Sequence, residues 1–190
     1  LYTKLERTLS QELKESLAKG DNSLLGLVLN VLLAWPDTCF MPETCKHPRT
    51  KDLIAFTPSI FDDERETPKE TWLREYCVSE KLQGRKTLIY TSYTGKRDTT
   101  SRLKAILTKA GLNVAVLKAT VPTEKREEWI AEQIDKGVDG VICNPELVKT
   151  GLDLLEFPSI VFMQTGYNVY TLMQAARRSW RIGQVNDVNV

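Results

Sequence analysis

Apolar and polar positions follow a helical period at the start of the chain. Every fourth residue from Leu5 to Leu17 is leucine, which places one apolar stripe on a helix from about residue 2 to residue 19. Gly20 follows the stripe and is typical of a helix end. The pattern therefore predicts an amphipathic helix with one face turned toward a core.

A second apolar run extends from Leu24 to Trp35. A membrane-spanning helix needs about 20 apolar residues, so this run is too short to cross a bilayer and predicts a buried helix. We expect the helix from about Ser23 to Ala34, because helices usually end before a proline such as Pro36. The two segments predict a helical hairpin over residues 1–35, and nothing here predicts contact with a membrane.

Residues 36–66 show little periodicity and contain prolines and many charged residues, which predicts a loop-rich insertion. Within it, Asp62, Asp63 and Glu64 follow only two apolar residues, Ile60 and Phe61. A magnesium-binding acidic pair at the end of a buried strand would follow a longer apolar run. We therefore interpret the three carboxylates as part of the loop.

The pattern changes at Thr67 to an alternation of helices and strands. Pro68 suits the first turn of a helix, and apolar residues follow on one face at Trp72, Leu73 and Tyr76. Four apolar segments then predict strands, at residues 87–92, 114–117, 140–143 and 160–163. The helices between them have apolar faces at Leu103, Ile106, Leu107 and Ala110, and at Trp129, Ile130 and Ile134. This alternation predicts an α/β domain with a parallel sheet and helices on both faces, over residues 67–190.

Polar residues end or follow the predicted strands at Ser92, Lys118, Asn144 and Gln164. Ligands of open parallel sheets gather at the carboxyl ends of the strands, so these side chains are expected to ring one edge. The alternative for each is an ordinary polar strand end.

Composition narrows the possible partners. The 190 residues carry 26 Lys and Arg against 25 Asp and Glu, a net charge of +1, so any contact with nucleic acid has to be local. The four cysteines lack the short paired spacings of a disulfide framework, which indicates a reducing, cytoplasmic compartment. Cys39, Cys45 and His47, with Cys77 as a fourth ligand, are a weak zinc candidate because no C-x-x-C pair is present, and loop thiols with a surface imidazole are the alternative.

The stretch QAARRSWRIGQ, over residues 174–184 near the end of the chain, contains three arginines, of which Arg178 and Arg181 lie three residues apart. On a helix, the spacing of Arg178 and Arg181 puts both guanidiniums on one face. Their planar forks suit phosphate oxygens, so the pair can neutralise charge on a nucleotide's terminal phosphate. The alternative is a solvated basic helix end.

Three stretches follow one another along the α/β part of the chain: LIYTSYT at residues 88–94, VICNPELVKTGLDL at 141–154, and QAARRSWRIGQ at 174–184. In order and spacing they resemble motifs IV, V and VI of superfamily-two helicases. The last resembles the Q-A-x-x-R-x-x-R-I-G-Q motif of the Swi/Snf-like branch, and Tyr167-Asn168 looks like the first two residues of that branch's W-N-P. The resemblance covers about residues 67–190 and implies the C-terminal RecA-like lobe of such an enzyme, preceded here by the helical and loop-rich segment. The compact motif set suggests a bacterial or mobile-element origin.

The resemblance implies roles for residues around the nucleotide. Arg181 would be the arginine finger on the γ-phosphate, and Arg178 its neighbour in the same phosphate network. Gln174 would organise the interface. Gly151 and Asp153 look like the elements of motif V that couple nucleotide to strand binding, and Asp153 can also accept a ribose hydroxyl.

The resemblance also implies a DNA-binding surface, formed by Ser92, Lys118, Asn144, Lys149 and Thr150. Motif V departs from the family, since Asn144 and Pro145 replace a serine and a threonine, and Val148 and Lys149 replace two glycines. The side chains of Asn144 and Lys149 can donate to phosphate in their place. Further positive charge is expected from the segment 95–109, which carries Lys96, Arg97, Arg102, Lys104 and Lys109 against only Asp98; a solvated helix face is the alternative.

A phosphate-cradling loop is missing from the sequence. Gly95-Lys96 resembles its end, but Tyr90 stands at the position of the first glycine and Arg97 at that of the serine or threonine. We therefore expect a first RecA-like lobe N-terminal to Leu1 that binds most of the ATP and Mg²⁺, and an isolated chain that is inactive. The predicted function is the C-terminal motor lobe of an ATP-dependent translocase or helicase acting on double-stranded DNA. The alternative is a non-catalytic RecA-like module that binds nucleic acid or acts as a scaffold.

Overall fold

A computed structural model describes residues 1–61, 64–148, 151–165 and 168–190. The chain forms two compact units, Leu1–Arg65 and Glu66–Val190. Among the described residues, no helix is both long enough and apolar enough to cross a membrane. Asp62 and Asp63, which the sequence assigns to a loop, lie outside the described residues.

The first unit pairs two helices with a small hairpin. Its elements are α1 (Tyr2–Ala18), α2 (Leu24–Thr38), β1 (Glu43–Lys46) and β2 (Leu53–Thr57). The strands pair antiparallel, in the segment for which the sequence predicts a loop. Leu5 and Leu9 of α1 are buried in the core of this unit, whereas Leu17 at the end of the leucine stripe is 47% exposed.

Helix α2 continues beyond the predicted end at Ala34, and Pro36 lies inside its last turns. Proline lacks the N–H that would bond to the carbonyl four residues earlier. In this case that carbonyl belongs to Leu32, and it accepts a hydrogen bond from the Tyr2 hydroxyl at 3.3 Å. A contact from α1 therefore replaces the missing bond, and the prediction that the helix stops before Pro36 is wrong.

The second unit is an α/β domain with a four-stranded parallel sheet in the order β4-β5-β3-β6. Its helices and strands are α3 (Pro68–Leu82), β3 (Thr87–Tyr90), α4 (Thr100–Lys109), β4 (Val114–Leu117), α5 (Arg126–Asp135), β5 (Gly140–Cys143), β6 (Ser159–Phe162) and α6 (Val169–Ala176). Short 3₁₀ turns lie at Thr123–Lys125 and Pro145–Leu147. The predicted fold class is confirmed, and the strand bounds differ from the prediction by at most two residues.

Successive strand residues point to opposite faces of the sheet and build two cores. Leu88 and Tyr90 pack in one core with Ile130 of α5 and Ala175 of α6. Ile89 packs in the other, which includes residues of α3 and α4. Helices therefore cover both faces, and the carboxyl edge of the sheet is left for a functional site.

The apolar face predicted for helix α3 is only partly buried. Leu73 and Cys77 face the core, whereas Trp72 is 53% exposed and stacks on Tyr76 with ring centroids 5.1 Å apart. The helix begins with a reciprocal capping box between Thr67 and Glu70, as favoured by a threonine three residues before a glutamate.

Candidate functional site

The carboxyl ends of the four strands lie in register. Tyr90 pairs with Cys143 on one side and Phe162 on the other, and Leu117 pairs with Cys143. Because the strands end together, the residues that follow them converge on one edge. The structure places Ser92, Lys118, Asn144 and Gln164 there, as the strand pattern predicts.

Gln164 holds the turn that follows β3. Its Oε1 accepts a hydrogen bond from Thr91 Oγ1 at 2.8 Å and another from the Ser92 backbone N–H at 3.1 Å. Thr91 is fully buried and also lies 2.8 Å from Thr99 Oγ1. The sequence locates Gln164 at this edge, but only the fold shows that it sets the position of Ser92.

Asn144 has its side chain engaged in the fold on both sides. Its Nδ2 donates to the Ser92 carbonyl and to Thr94 Oγ1, each at 3.4 Å, and its Oδ1 accepts from the Glu146 N–H at 3.0 Å. The bond from the Glu146 N–H to Asn144 Oδ1 caps the 3₁₀ turn that Pro145 begins. Asn144 therefore connects motif IV to motif V in addition to lying on the candidate DNA surface.

An open cavity of about 390 Å³ lies beside these residues, at the ends of β4 and β5. Its wall includes the Lys118 cation, the carboxylates of Asp98 and Glu146, and the amide of Asn144. Asp98 is engaged at the start of α4, since its Oδ1 accepts from the N–H and the hydroxyl of Thr100 at 2.8 and 2.6 Å. Lys118 is exposed and can reach an anion at the mouth of this cavity.

The basic segment 95–109 contributes less positive charge to the surface than its composition suggests. Arg102 is buried, with a side chain 8% exposed, and its Nε donates to Glu70 Oε1 at 2.7 Å. Burial alone raises the pKa of Glu70, but hydrogen bonds from Arg102 and from the Thr67 N–H outweigh it and bring that pKa below the ordinary value. Arg102 therefore stabilises the packing of α3 on α4, and the prediction that it adds charge for DNA is wrong.

Arg178 and Arg181 of motif VI do not lie on the final helix. Helix α6 ends at Ala176, and residues 177–183 form a series of turns. The Arg178 carbonyl, which a continuing helix would engage, accepts from the Leu154 N–H at 3.2 Å instead. Gln184 Nε2 donates to the Leu155 carbonyl at 2.8 Å and to the Ser179 carbonyl at 3.0 Å. The bonds to Leu154 and Leu155 hold this turn and end the helix, so the prediction of two guanidiniums on one helix face is wrong.

Arg178 and Arg181 consequently differ in environment. Arg178 is 6% exposed, and its Nη2 donates to Gln174 Oε1 at 3.4 Å. The side chain of Arg181 is 41% exposed, and its Nη1 donates to Asp153 Oδ1. Of the two, Arg181 is the one that a ligand can contact directly.

Motif V reaches Arg181 through a sharp turn. Gly151 has φ of +77°, a left-handed conformation that glycine adopts without steric cost, and Asp153 follows two residues later. The structure thus brings together Asp153 and Arg181, which the sequence assigns to the nucleotide site separately. Lys149, Thr150 and Tyr167, also named in the sequence analysis, lie outside the described residues.

The turns that follow α6 also expose apolar side chains, for which the sequence alone predicts no role. Trp180 is 71% exposed, Ile182 is fully exposed and Val185 is 92% exposed. Large apolar side chains gathered on an exposed loop commonly mark an interaction surface. Trp180 and Ile182 lie inside motif VI, and Val185 follows its last residue.

Side-chain hydrogen bonds hold helix α6 near both of its ends. The Tyr90 hydroxyl donates to the Ala175 carbonyl at 3.2 Å in the buried core, where burial raises the pKa of Tyr90 well above its ordinary value. At the other end, Thr171 Oγ1 donates to Glu146 Oε1 at 2.8 Å, and the Thr171 N–H donates to Asn168 Oδ1 at 3.1 Å. Contacts from motif IV and motif V therefore set the position of the helix that leads to the arginines.

The zinc candidate finds no support in the described part of the chain, where no three His, Cys, Asp or Glu side chains are grouped so as to hold a metal ion. None of the four cysteines forms a disulfide, and all four are buried. Cys39 and Cys45 belong to the core of the first unit and Cys77 to a core of the second. Burial raises the pKa of Cys77 and of Cys143 to about 12, so these two thiols stay protonated at neutral pH.

The chain was compared with protein families, solved structures and curated sequences. Residues 68–183 match the model of the helicase conserved C-terminal domain. A solved structure, the crystal structure of the C-terminal part of the Fun30 ATPase domain, matches with a TM-score of 0.59 at 21% sequence identity. The match covers 65% of this chain and 39% of that chain, and it shows that the two share a fold. A comparison with curated protein sequences found no match.

Proposed function

We propose that this chain, which belongs to the helicase conserved C-terminal domain family, is the second motor lobe of an ATP-dependent DNA translocase or helicase. The observation that carries the proposal is the placement of the Arg181 guanidinium on an exposed turn, against the carboxylate of Asp153. A carboxylate oxygen carries the same sign of charge as a phosphate oxygen and accepts the same donors. The guanidinium is therefore already held in a place where an anionic oxygen can reach it.

In this proposal Arg181 is the arginine finger. A permanently charged, planar guanidinium stabilises charge that spreads over the γ-phosphoryl oxygens in the transition state. Arg178 is buried and bonded to Gln174, so it acts as a positioning residue that fixes the turn rather than as a direct phosphate contact. Asp153 holds Arg181 before the nucleotide arrives, and its carboxylate can accept a ribose hydroxyl once Arg181 has left it for the phosphate.

ATP and Mg²⁺ are bound mainly by a first RecA-like lobe of the same polypeptide in this proposal. The sequence offers no phosphate-cradling loop, because Tyr90 and Arg97 stand where that loop needs a glycine and a hydroxyl residue. Mg²⁺ bridges the phosphate oxygens and neutralises their charge during phosphoryl transfer. The exposed apolar side chains of Trp180, Ile182 and Val185 lie on the same turn as the finger and provide a contact surface for that lobe.

DNA binds at the carboxyl edge of the sheet in this proposal. Lys118 supplies a cation, and Ser92 and Asn144 supply polar groups beside the cavity of about 390 Å³. Lys149 and Thr150 belong to the same proposed surface by their place in motif V. Contacts of this kind to phosphates fix position and affinity without reading sequence, which suits a protein that moves along double-stranded DNA. We place such a protein in the cytoplasm.

The experiment that tests the division of labour compares this chain with the longer protein that contains it. We expect the 190-residue chain alone to hydrolyse no ATP above an enzyme-free blank, and the longer protein to hydrolyse ATP faster when duplex DNA is added. Rapid turnover by the isolated chain would contradict the assignment to a second lobe. A longer protein without a phosphate loop would favour the alternative, a non-catalytic module that binds DNA.

A further inference from the structure

The first unit carries a cluster of positive charge at the end of its hairpin. We call residues 46–52, from the last residue of β1 to the residue before β2, the hairpin tip. It contains Lys46, Arg49 and Lys51, all exposed, against the single carboxylate of Asp52. The unit as a whole has more Asp and Glu than Lys and Arg, so this positive charge is local to the tip. Short clusters of lysine and arginine are typical of surfaces that bind nucleic acid.

Hydrogen bonds hold the hairpin tip in a defined conformation. The His47 N–H donates to the Asp52 carbonyl at 2.8 Å, and the Lys51 N–H donates to the His47 carbonyl at 3.0 Å. The imidazole of His47 adds two more bonds, since its Nδ1 accepts from the N–H groups of Arg49 and Thr50, each at 3.2 Å. A loop that is already ordered loses less conformational entropy when it binds a ligand.

Lys51 has a backbone conformation that disfavours lysine. Its φ is +68°, and it is the only residue other than glycine with a positive φ in the part of the chain that the structure describes. Glycine adopts this left-handed conformation without steric cost, whereas a Cβ is strained there. Strained residues of this kind cluster at functional sites. Because the fold alone favours glycine at this position, the lysine indicates a use for its charge.

The cations of the hairpin tip can exchange their present contacts for a ligand. The Arg49 side chain is 69% exposed, and its Nη1 lies 3.7 Å from Asp21 Oδ2, an exposed ion pair that contributes little to stability. Lys51 Nζ donates to the Pro48 carbonyl at 2.6 Å. That bond uses one of the three ammonium N–H groups and leaves the charge of Lys51 without a carboxylate to neutralise it.

We propose that the hairpin tip binds the phosphate backbone of duplex DNA, as a contact in addition to the carboxyl edge of the sheet; the identity of the ligand rests on the proposed function. Guanidinium and ammonium groups donate charge-assisted hydrogen bonds to phosphate oxygens, and such contacts add affinity without reading bases. The tip lies outside residues 68–183, which match the helicase conserved C-terminal domain. The contact is therefore a property of the first unit.

The test measures the affinity of the 190-residue chain for a short duplex DNA of mixed sequence over a range of salt concentrations. Loss of one phosphate contact reduces the magnitude of the slope of log affinity against log salt by about 0.9. Lys51→Gly should therefore reduce it by about one, and Lys46→Ala combined with Lys51→Gly by about two. Because glycine relieves the strain at this position, Lys51→Gly should unfold at a temperature close to that of the wild type.

Three further variants separate charge from structure. Lys51→Arg keeps the cation and should keep the wild-type slope. Lys14→Ala removes an exposed cation from α1 of the same unit and should also keep it. Lys46→Ala changes a residue with a negative φ, so it tests the tip by itself if Lys51→Gly does not fold, with an expected reduction of about one.

The outcomes distinguish this contact from the sheet edge. Wild-type slopes in Lys51→Gly and Lys46→Ala, with a reduced slope in Lys118→Ala, would overturn the contact at the hairpin tip alone. Reduced slopes in the two hairpin variants, with a wild-type slope in Lys118→Ala, would support the tip and remove the sheet edge. A wild-type chain without affinity for duplex DNA would overturn both.

Vesicles of phosphatidylcholine and phosphatidylserine test whether the phosphate belongs to a lipid instead. If Lys51→Gly loses affinity for these vesicles while its binding to DNA matches the wild type, the hairpin tip faces a membrane surface and the proposal is wrong. Equal vesicle binding by the wild type and Lys51→Gly, together with the reduced salt slope for DNA, is the result that the proposal predicts.

Discussion

Arg181 donates a hydrogen bond to the carboxylate of Asp153, a residue 28 positions earlier in the chain. The contact joins the turn of motif V to the turn of motif VI. Both side chains are largely exposed, by 41% for Arg181 and 59% for Asp153. An exposed ion pair is easily exchanged for another partner, which suits a residue that has to leave a carboxylate for a phosphate.

The exposure of this pair predicts that it contributes little to folding. Exposed ion pairs contribute about 0–1 kcal/mol, so Asp153→Asn should change the free energy of unfolding by less than about 1 kcal/mol. The measurement is urea denaturation of the 190-residue chain followed by circular dichroism. A loss of several kcal/mol would show that the pair supports the fold instead of resting at an active site.

The matched comparison is the buried ion pair between Arg102 and Glu70, whose side chains are only 8% and 6% exposed. Glu70→Gln leaves the Arg102 charge buried without its carboxylate, which costs about 3–5 kcal/mol for a pair of this kind. The same denaturation experiment should therefore separate the two variants clearly.

The Glu70 pair also predicts a dependence of stability on pH. The pKa of Glu70 is lower in the folded chain than its ordinary value of 4.5. Its contribution to stability is therefore complete above that value and is lost as the pH falls through the folded pKa. The difference in unfolding free energy between the wild type and Glu70→Gln should shrink in acid, and a difference that stays constant from neutral pH to acid would contradict the assignment.

The sequence predicts the α/β unit well because its periodicity is strong. Each predicted strand from residue 87 onward is present in the structure, and the parallel order follows from the helical crossovers between the strands. The carboxyl edge with Ser92, Lys118, Asn144 and Gln164 follows from the same reasoning. In this unit the hydrophobic periodicity of each segment agrees with the strand or helix that the fold contains.

The failures occur where tertiary contacts override local pattern. The helix before Arg178 ends because backbone groups near Leu154 and Leu155 bond to the turn, and nothing in the local sequence encodes that partner. Pro36 continues a helix because Tyr2 satisfies the Leu32 carbonyl. Arg102 is buried instead of exposed on the basic surface because it pairs with Glu70, 32 residues earlier in the chain.

Lys118 tests the DNA surface in the isolated chain. Each phosphate that a cation neutralises adds about 0.9 to the magnitude of the slope of log affinity against log salt for duplex DNA, so Lys118→Ala should reduce that magnitude by about one. Lys136→Ala is the control. Lys136 is an exposed cation that pairs with Glu132, and it follows the C-terminal end of α5, whereas Lys118 precedes the N-terminal end of that helix. Equal salt slopes for Lys118→Ala and the wild type would remove Lys118 from the proposed surface.

The central claim is that Arg181 completes the active site of a motor, and hydrolysis by the longer protein tests it most directly. Arg181→Ala should lower the rate at saturating ATP and DNA by about a thousandfold, as loss of an arginine finger does, with nucleotide affinity close to that of the wild type. Arg177→Ala, which removes an exposed arginine four residues earlier, should retain most of the rate. Hydrolysis by Arg181→Ala at the rate of Arg177→Ala would contradict the account.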